Sequence, residues 1–247
     1  MKRKEFIKLS AIAGIGIGVV PQWAFSQQFS KFTRDQLIGK GNADIIQSSY
    51  TDTMHSLTKE ALTQMTVAAA KDGIKIEVVS AYRSFQRQKE IYEGKYKRYT
   101  EQGRSPMDSI LKIIEYSTIP GTSRHHWGTD LDLIDGGASP RPENVLQPPL
   151  FHGDGPFCKL KEWLTIHANS FGFFEVYTNN ANRKGFEYEP WHFSYALVSK
   201  PMLQAYKELD VKQILLEEQL LGAAHFTDEF IQTYRNENIL DINPELL

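Results

Sequence analysis

The chain reads as an α+β protein in which an antiparallel sheet is flanked by helices. Three observations lead there. The 247 residues are 41% hydrophobic, 12% aromatic and 23% charged, a globular balance that excludes a disordered, collagen-like or low-complexity chain. Segments with a 3.6-residue apolar period and short β-branched segments with a two-residue period are both present. They follow one another without the regular strand–helix–strand alternation of a parallel sheet, and no internal repeat is visible.

The order begins with a leader. Lys2, Arg3 and Lys4 precede a stretch from Ile7 to Val20 that is apolar apart from Lys8 and Ser10; Pro21 and the small-x-small Ala24-Phe25-Ser26 follow. That is the three-part order of a secretory signal peptide, with cleavage after Ser26, so residues 1–26 are expected to be removed. The alternative is a short membrane anchor left in place. The stretch from Arg3 to Lys8 resembles a twin-arginine export signal, with Lys4 where the second arginine belongs. The expected location is outside the cytoplasm, in the periplasm or cell envelope. No internal apolar run reaches the ~18 residues of a membrane span, so no span is expected after removal.

Residues 27–55 are polar and are expected to wrap the surface. A helix is expected over 56–72, capped by Ser56 or Thr58, with Leu57, Ala61, Met65 and Ala68 as its apolar stripe and Gly73 as its stop. The alternating segment 74–79 reads as a strand, and Ser84 caps a polar helix over 85–99. A third helix is expected over 105–117, and Pro120-Gly121 breaks the chain. Thr129 to Ile134 reads as a strand. Five prolines and four glycines over 136–157 predict a long loop, the kind that often serves function. A helix over 158–170 ends at Gly172, and Phe173–Tyr177 and Phe186–Tyr195 read as strands around an Asn-rich turn. The division expected is a domain over 27–204 and an acidic, mostly helical extension over 205–247, with nine acids against three bases.

Charge and cysteine narrow the function classes. Lys plus Arg is 28 and Asp plus Glu is 30, without the basic surplus of a nucleic-acid binder. The lone Cys158 excludes an intramolecular disulfide framework and a Cys-rich metal site, and is expected to be buried and unreactive.

Three clusters carry chemistry: Ser80-Ala81-Tyr82-Arg83-Ser84 with Gln88 beyond it, Ser123 to Asp132, and Glu189 to Tyr195. A catalytic zinc takes three protein ligands and leaves one position open. Without thiolates, His125, Asp132 and His192 can supply that set. Glu189, three residues before His192, is placed to act as general base. Arg83, between a strand and a helix, can project a guanidinium toward an oxyanion. Spacing alone does not bring these groups together. His125 and Asp132 are seven apart, which in a regular strand puts them on opposite faces, so Gly128 must supply a bend. Glu189 and His192 likewise require a bulge or turn at Pro190.

At these residues the chain resembles the VanY-type D-alanyl-D-alanine carboxypeptidases, which belong to a zinc peptidase group that includes D,D-dipeptidases and the Hedgehog signalling domain. The family pattern of Ser-x-His, Gly three residues later and Asp four beyond it is matched by Ser123, His125, Gly128 and Asp132. Its Glu-x-Trp-His element is Glu189, Trp191 and His192, followed by Tyr195, and its Tyr-Arg-Ser element is Tyr82, Arg83 and Ser84 with Gln88. The three occur in family order, and the resemblance covers about residues 50–200. It implies a Hedgehog/D,D-peptidase-like fold with Zn2+ held by His125, Asp132 and His192. Glu189 would activate the water and later protonate the leaving amine. Arg83 would stabilise the oxyanion or hold the substrate carboxylate, and Ser123 and Gln88 would line the cleft. The substrate implied is a peptidoglycan stem peptide ending in D-Ala-D-Ala; separately, the chain is expected to act as a monomer.

One departure stands out: Asp130 occupies a position where the family usually has a small apolar residue. Three readings stay open, namely orientation of a ligand, binding of another cation, and ligation itself. His126 competes with His125, which the family register favours. His55, His152, His167 and His225 are expected to be surface or satisfied structural histidines, and Trp127 and Trp191 either core or cleft wall. Other functions kept in view are an L,D-carboxypeptidase, a D,D-dipeptidase or endopeptidase, and a non-catalytic zinc-dependent binding module.

Overall fold

The computed structural model describes residues 32–247; the expected leader at 1–26 lies outside the described residues. The chain enters through a one-turn helix α1 (Arg34–Leu37) and two short antiparallel strands, β1 (Ile45–Ile46) and β2 (Met54–His55). Helix α2 (Ser56–Lys71) follows, then β3 (Ile76–Ser80), α3 (Phe85–Glu101), α4 (Pro106–Ile113) and β4 (Asp130–Asp135). After the long loop come α5 (Cys158–His167), β5 (Phe173–Glu175), β6 (His192–Tyr195), α6 (Ala196–Lys207), α7 (Val211–Glu217) and α8 (Asp228–Tyr234). Strands β3, β4, β6 and β5, in that spatial order, form a four-stranded sheet in which every pairing is antiparallel.

The α+β expectation therefore holds, with local adjustments that have physical causes. Helix α2 is capped by His55, whose Nδ1 accepts from the Leu57 N–H, and not by Ser56 or Thr58. Its buried face runs through Ala61, Leu62, Met65 and Ala69, leaving Leu57 and Ala68 at the edge. Helix α3 begins at its expected Ser84 cap. Helix α4 ends at Ile113, four residues short, and the released residues turn toward the functional site. The strand expected from Phe186 is formed only from His192, because Pro190 has no N–H to give a ladder.

Strand β4 is buried on both faces. Leu131 and Leu133 point into a core shared with Met65 of α2, Leu160 and Leu164 of α5, and Phe173 and Phe193 of the neighbouring strands. Each fully buried side chain of this kind stabilises the fold by about 1.5–3 kcal/mol relative to exposure. The opposite face carries Asp130, Asp132 and Ile134; Ile134 packs with Phe151, Phe157 and Trp191, which anchors the long loop over that side of the sheet. Helix α6 runs through the expected 204/205 boundary, and Phe32–Leu247 form one compact unit, so residues 205–247 continue the same packing. Cys158 is half-exposed at the start of α5, where its thiol donates to Glu162, and is not buried as expected. Among the described residues, no helix is long and apolar enough to cross a membrane.

Candidate metal centre

Gly128 supplies the bend that the seven-residue spacing required. A short 3-10 turn, Arg124–Trp127, ends there at φ +67°, and the chain then enters β4. A Cβ at Gly128 would stand 2.3 Å from Ile45 Cδ1 and 2.7 Å from the His55 nitrogen, so no side chain fits. In the sheet Asp132 pairs with His192. The N–H of His192 closes a turn onto the Glu189 carbonyl (3.1 Å), which brings the Glu189 side chain back to the strand start. As a result, ligand atoms of His125, Asp132 and His192 all lie within 4.8 Å of one another, and all three residues are buried.

Hydrogen bonds orient both imidazoles. His125 Nδ1 donates to the Ala81 carbonyl (2.7 Å), leaving Nε2 to face Asp132 Oδ2 at 3.6 Å. His192 Nε2 donates to Asp130 Oδ1 (3.1 Å), and its Nδ1 donates to Glu189 Oε2 (2.8 Å) with Asp132 Oδ1 at 3.9 Å. Asp130 also accepts from Arg124 Nε (2.8 Å), Thr129 Oγ1 (2.7 Å) and Ser194 Oγ (2.9 Å). Both its oxygens are spoken for, whereas Asp132 Oδ1 is buried with no partner. Two imidazole nitrogens and an orphaned carboxylate oxygen are the donor set of a catalytic zinc site, and the residues fit that ion once His192 Nδ1 gives up its proton.

Electrostatics separate the two aspartates. Burial opposes the Asp130 charge, but the Arg124 guanidinium and the His192 contact hold its carboxyl well below the usual range. Burial pushes Asp132 up to about 6. Burial, with the Arg83 charge beside it, holds His125 well below 6.5. Burial also opposes charge on His192, yet its hydrogen bonds with Asp130 and Glu189 raise it to about 10. His126 is pinned by backbone, with Nδ1 donating to the Arg83 carbonyl (2.6 Å) and Nε2 accepting from the Gly121 N–H (3.1 Å), so it has no nitrogen left for a ligand.

The centre opens onto a cavity of about 430 Å³. Arg83, Ser123, His125, Asp132, Glu189 and His192 all line it, so every candidate except Gln88 reaches the same space. Gln88 is a correction. It is fully buried, accepts from Arg83 Nη1 (2.9 Å) and donates to the Thr118 carbonyl (2.7 Å), so it holds the arginine and does not line the cavity. Arg83 also donates to Ser80 Oγ (3.0 Å), and its Nε has no partner. Glu189 Oε2 lies 2.8 Å from His192 Nδ1, at the face of the cluster. Trp191 is cavity wall, whereas Trp127 is interior, its indole N–H donating to the Leu37 carbonyl (3.0 Å). His55 caps α2, His152 meets Tyr188 on the loop, and His167 packs on Trp163.

Several lining residues were missed from sequence. Tyr177 places its ring edge-on to His192 at 5.0 Å, and Thr118 and Arg124 carry buried polar atoms without partners. Asn144, Leu146, Gln147 and Pro148 of the long loop complete one wall. Only the loop's proline and glycine content and Arg124's place beside His125 were visible signals.

A family model described as VanY, D-alanyl-D-alanine carboxypeptidase, matches residues 51–198. An uncharacterized protein of Haemophilus influenzae is 33% identical over 106 residues, 42% of this chain and 81% of its own length. A D-alanyl-D-alanine carboxypeptidase of Enterococcus faecalis is 28% identical over 129 residues, 52% of this chain but only 42% of its own length. Among solved structures, VanYB in complex with D-alanine-D-alanine superposes at a TM-score of 0.51 and 22% identity, covering 73% of this chain and 92% of that one. The LdcB LD-carboxypeptidase gives 0.50 and 22%, covering 75% and 78%. At such identities the likeness is one of fold.

Proposed function

Because the chain belongs to the VanY family of D-alanyl-D-alanine carboxypeptidases, matched over residues 51–198, we propose that it is a zinc carboxypeptidase removing the terminal D-alanine of peptidoglycan stem peptides. The observation that carries this reading is the buried cluster of His125, Asp132 and His192 with Glu189 at its face and Arg83 in the same cavity. His125 Nε2, Asp132 and His192 Nδ1 would hold the ion. Zinc, when bound there, supplies a Lewis acid that makes water acidic near neutral pH and polarises a carbonyl.

The protein's own groups do the rest. Glu189 takes a proton from the attacking water and returns it to the departing amine, so that the C–N bond breaks as a new C–O bond is completed. Arg83, held by Gln88 and Ser80, offers its guanidinium to the developing oxyanion. Asp130 keeps His192 in the tautomer whose Nδ1 faces the ion. Ser123, with its hydroxyl oxygen buried and free, is a hydrogen-bonding group for the substrate. The expected leader supports action in the periplasm or envelope, where such peptides are found.

The test is mass spectrometry of a muramyl pentapeptide ending in D-Ala-D-Ala, incubated with the protein with and without zinc. Zinc-dependent loss of one alanine is expected. Loss of a dipeptide moves the reading to a dipeptidase, and cleavage of the tetrapeptide alone moves it to an L,D-carboxypeptidase. Bound zinc with no cleavage of any stem peptide overturns the enzyme reading in favour of a binding module.

A further inference from the structure

The turn Ile119–Thr122 leads into Ser123 and His125, and it is held from the C-terminal helices. The Ile119 N–H donates to the Tyr234 hydroxyl oxygen (3.0 Å). Thr122 Oγ1 donates to the Ile119 carbonyl (2.7 Å), which leaves the Tyr234 hydroxyl to donate to Thr122 Oγ1 (2.8 Å). The Tyr206 hydroxyl donates to the Gly121 carbonyl (2.8 Å). Gly121 sits at φ +86°, and a Cβ there would meet Ile214 Cγ2 at 2.7 Å. Tyr206, Ile214 and Tyr234 lie on α6, α7 and α8, all beyond residue 198, where the family match ends.

On the two sides of this turn stand Thr118 and Ser123. Both line the cavity, and both have hydroxyl oxygens that are buried without a partner. Buried polar atoms are nearly always satisfied, so two orphans flanking one braced turn point to a ligand that completes them. Arg124 Nη1, a third orphan in the same cavity, makes the site attractive to a carboxylate.

We propose that Tyr234 is a positioning residue for substrate: acting from the C-terminal segment through Ile119 and Thr122, it sets the placement at which Thr118 and Ser123 present their hydroxyls to the peptide carboxylate. Thr118 is thereby assigned as a substrate contact. This rests on the carboxypeptidase reading for the identity of the peptide alone.

Steady-state kinetics on the pentapeptide test it, comparing the wild-type protein with Tyr234→Phe and Tyr206→Phe, with zinc affinity and thermal midpoint measured on each. Tyr234→Phe loses two hydrogen bonds to the turn and Tyr206→Phe loses one, so KM is expected to rise about threefold to tenfold, more for Tyr234→Phe. Zinc affinity and kcat should stay within about twofold, since the ion's residues are held by other groups. A lowered midpoint with unchanged KM means that the tyrosines only stabilise the fold, and overturns the proposal. If Tyr234→Phe does not fold, Tyr206→Phe acts on the same turn from another helix and decides on the same terms. If the wild type cleaves no stem peptide, the enzyme reading fails by itself. Calorimetric affinity for the pentapeptide then replaces KM, and equal affinity across the three proteins, including none in all, overturns the proposal.

Discussion

Asp130 and Asp132 share one face of β4, and their surroundings give them different tasks. Asp130 is saturated by four donors, whereas Asp132 keeps a bare oxygen toward the cavity. The alternation of a strand made their common face legible; which of them keeps an oxygen free toward the cavity depended on Arg124 and Ser194, which only the fold brings in. Gln88 shows the same limit from the other side. Its motif was visible, but its direction was set by α3, which turns it inward to hold Arg83. Tyr177 and Thr118 gave no sequence signal because each reaches the cavity from an irregular segment. Asp130→Asn keeps the shape and removes the charge behind His192. Zinc affinity, read by chelator competition, is expected to fall by about tenfold to a hundredfold. Affinity equal to wild type would mean that Asp130 does not orient the ligand.

At the scale of elements, strand and helix identities followed from periodicity, and their ends followed from chemistry that periodicity does not carry. Helix α4 stops where its chain is needed for the cavity wall, and β6 starts after Pro190. The decisive element is the turn between His125 and β4. Gly128 adopts a left-handed φ against Ile45 and the β2 backbone, so the bend and the packing both forbid a side chain. Gly128→Ala is expected to lower stability by about 1 kcal/mol or more from the backbone alone, with the clash in addition. It should weaken zinc binding by moving His125 away from Asp132. Urea unfolding and zinc titration of the variant check both effects; a variant as stable as wild type would contradict the geometry.

For the molecule as a whole, the buried cluster links stability to pH. His125 and His126 are held below 6.5, the latter at about 4, so stability is lost as pH falls from 6.5 toward 4. Asp132, raised to about 6, works the other way over the same range, one proton against two. His192 is raised to about 10, so the stability it contributes below 6.5 is lost as pH rises toward 10. The chelator-treated protein should therefore show its highest thermal midpoint near pH 6.5, with a fall on either side; a midpoint that climbs steadily with pH would contradict these assignments. The fold class and three ordered motifs were legible in the sequence, while the joining of residues 205–247 to the site was not, because it runs through tyrosine hydroxyls onto backbone. In the proposed mechanism Glu189 acts on water beside a metal held by His125, Asp132 and His192. The direct measurement is turnover of zinc-loaded Glu189→Gln on the D-Ala-D-Ala pentapeptide, with zinc content determined on the same sample. One zinc per chain with turnover reduced by about a hundredfold or more is the predicted result, and wild-type turnover with zinc bound would contradict it.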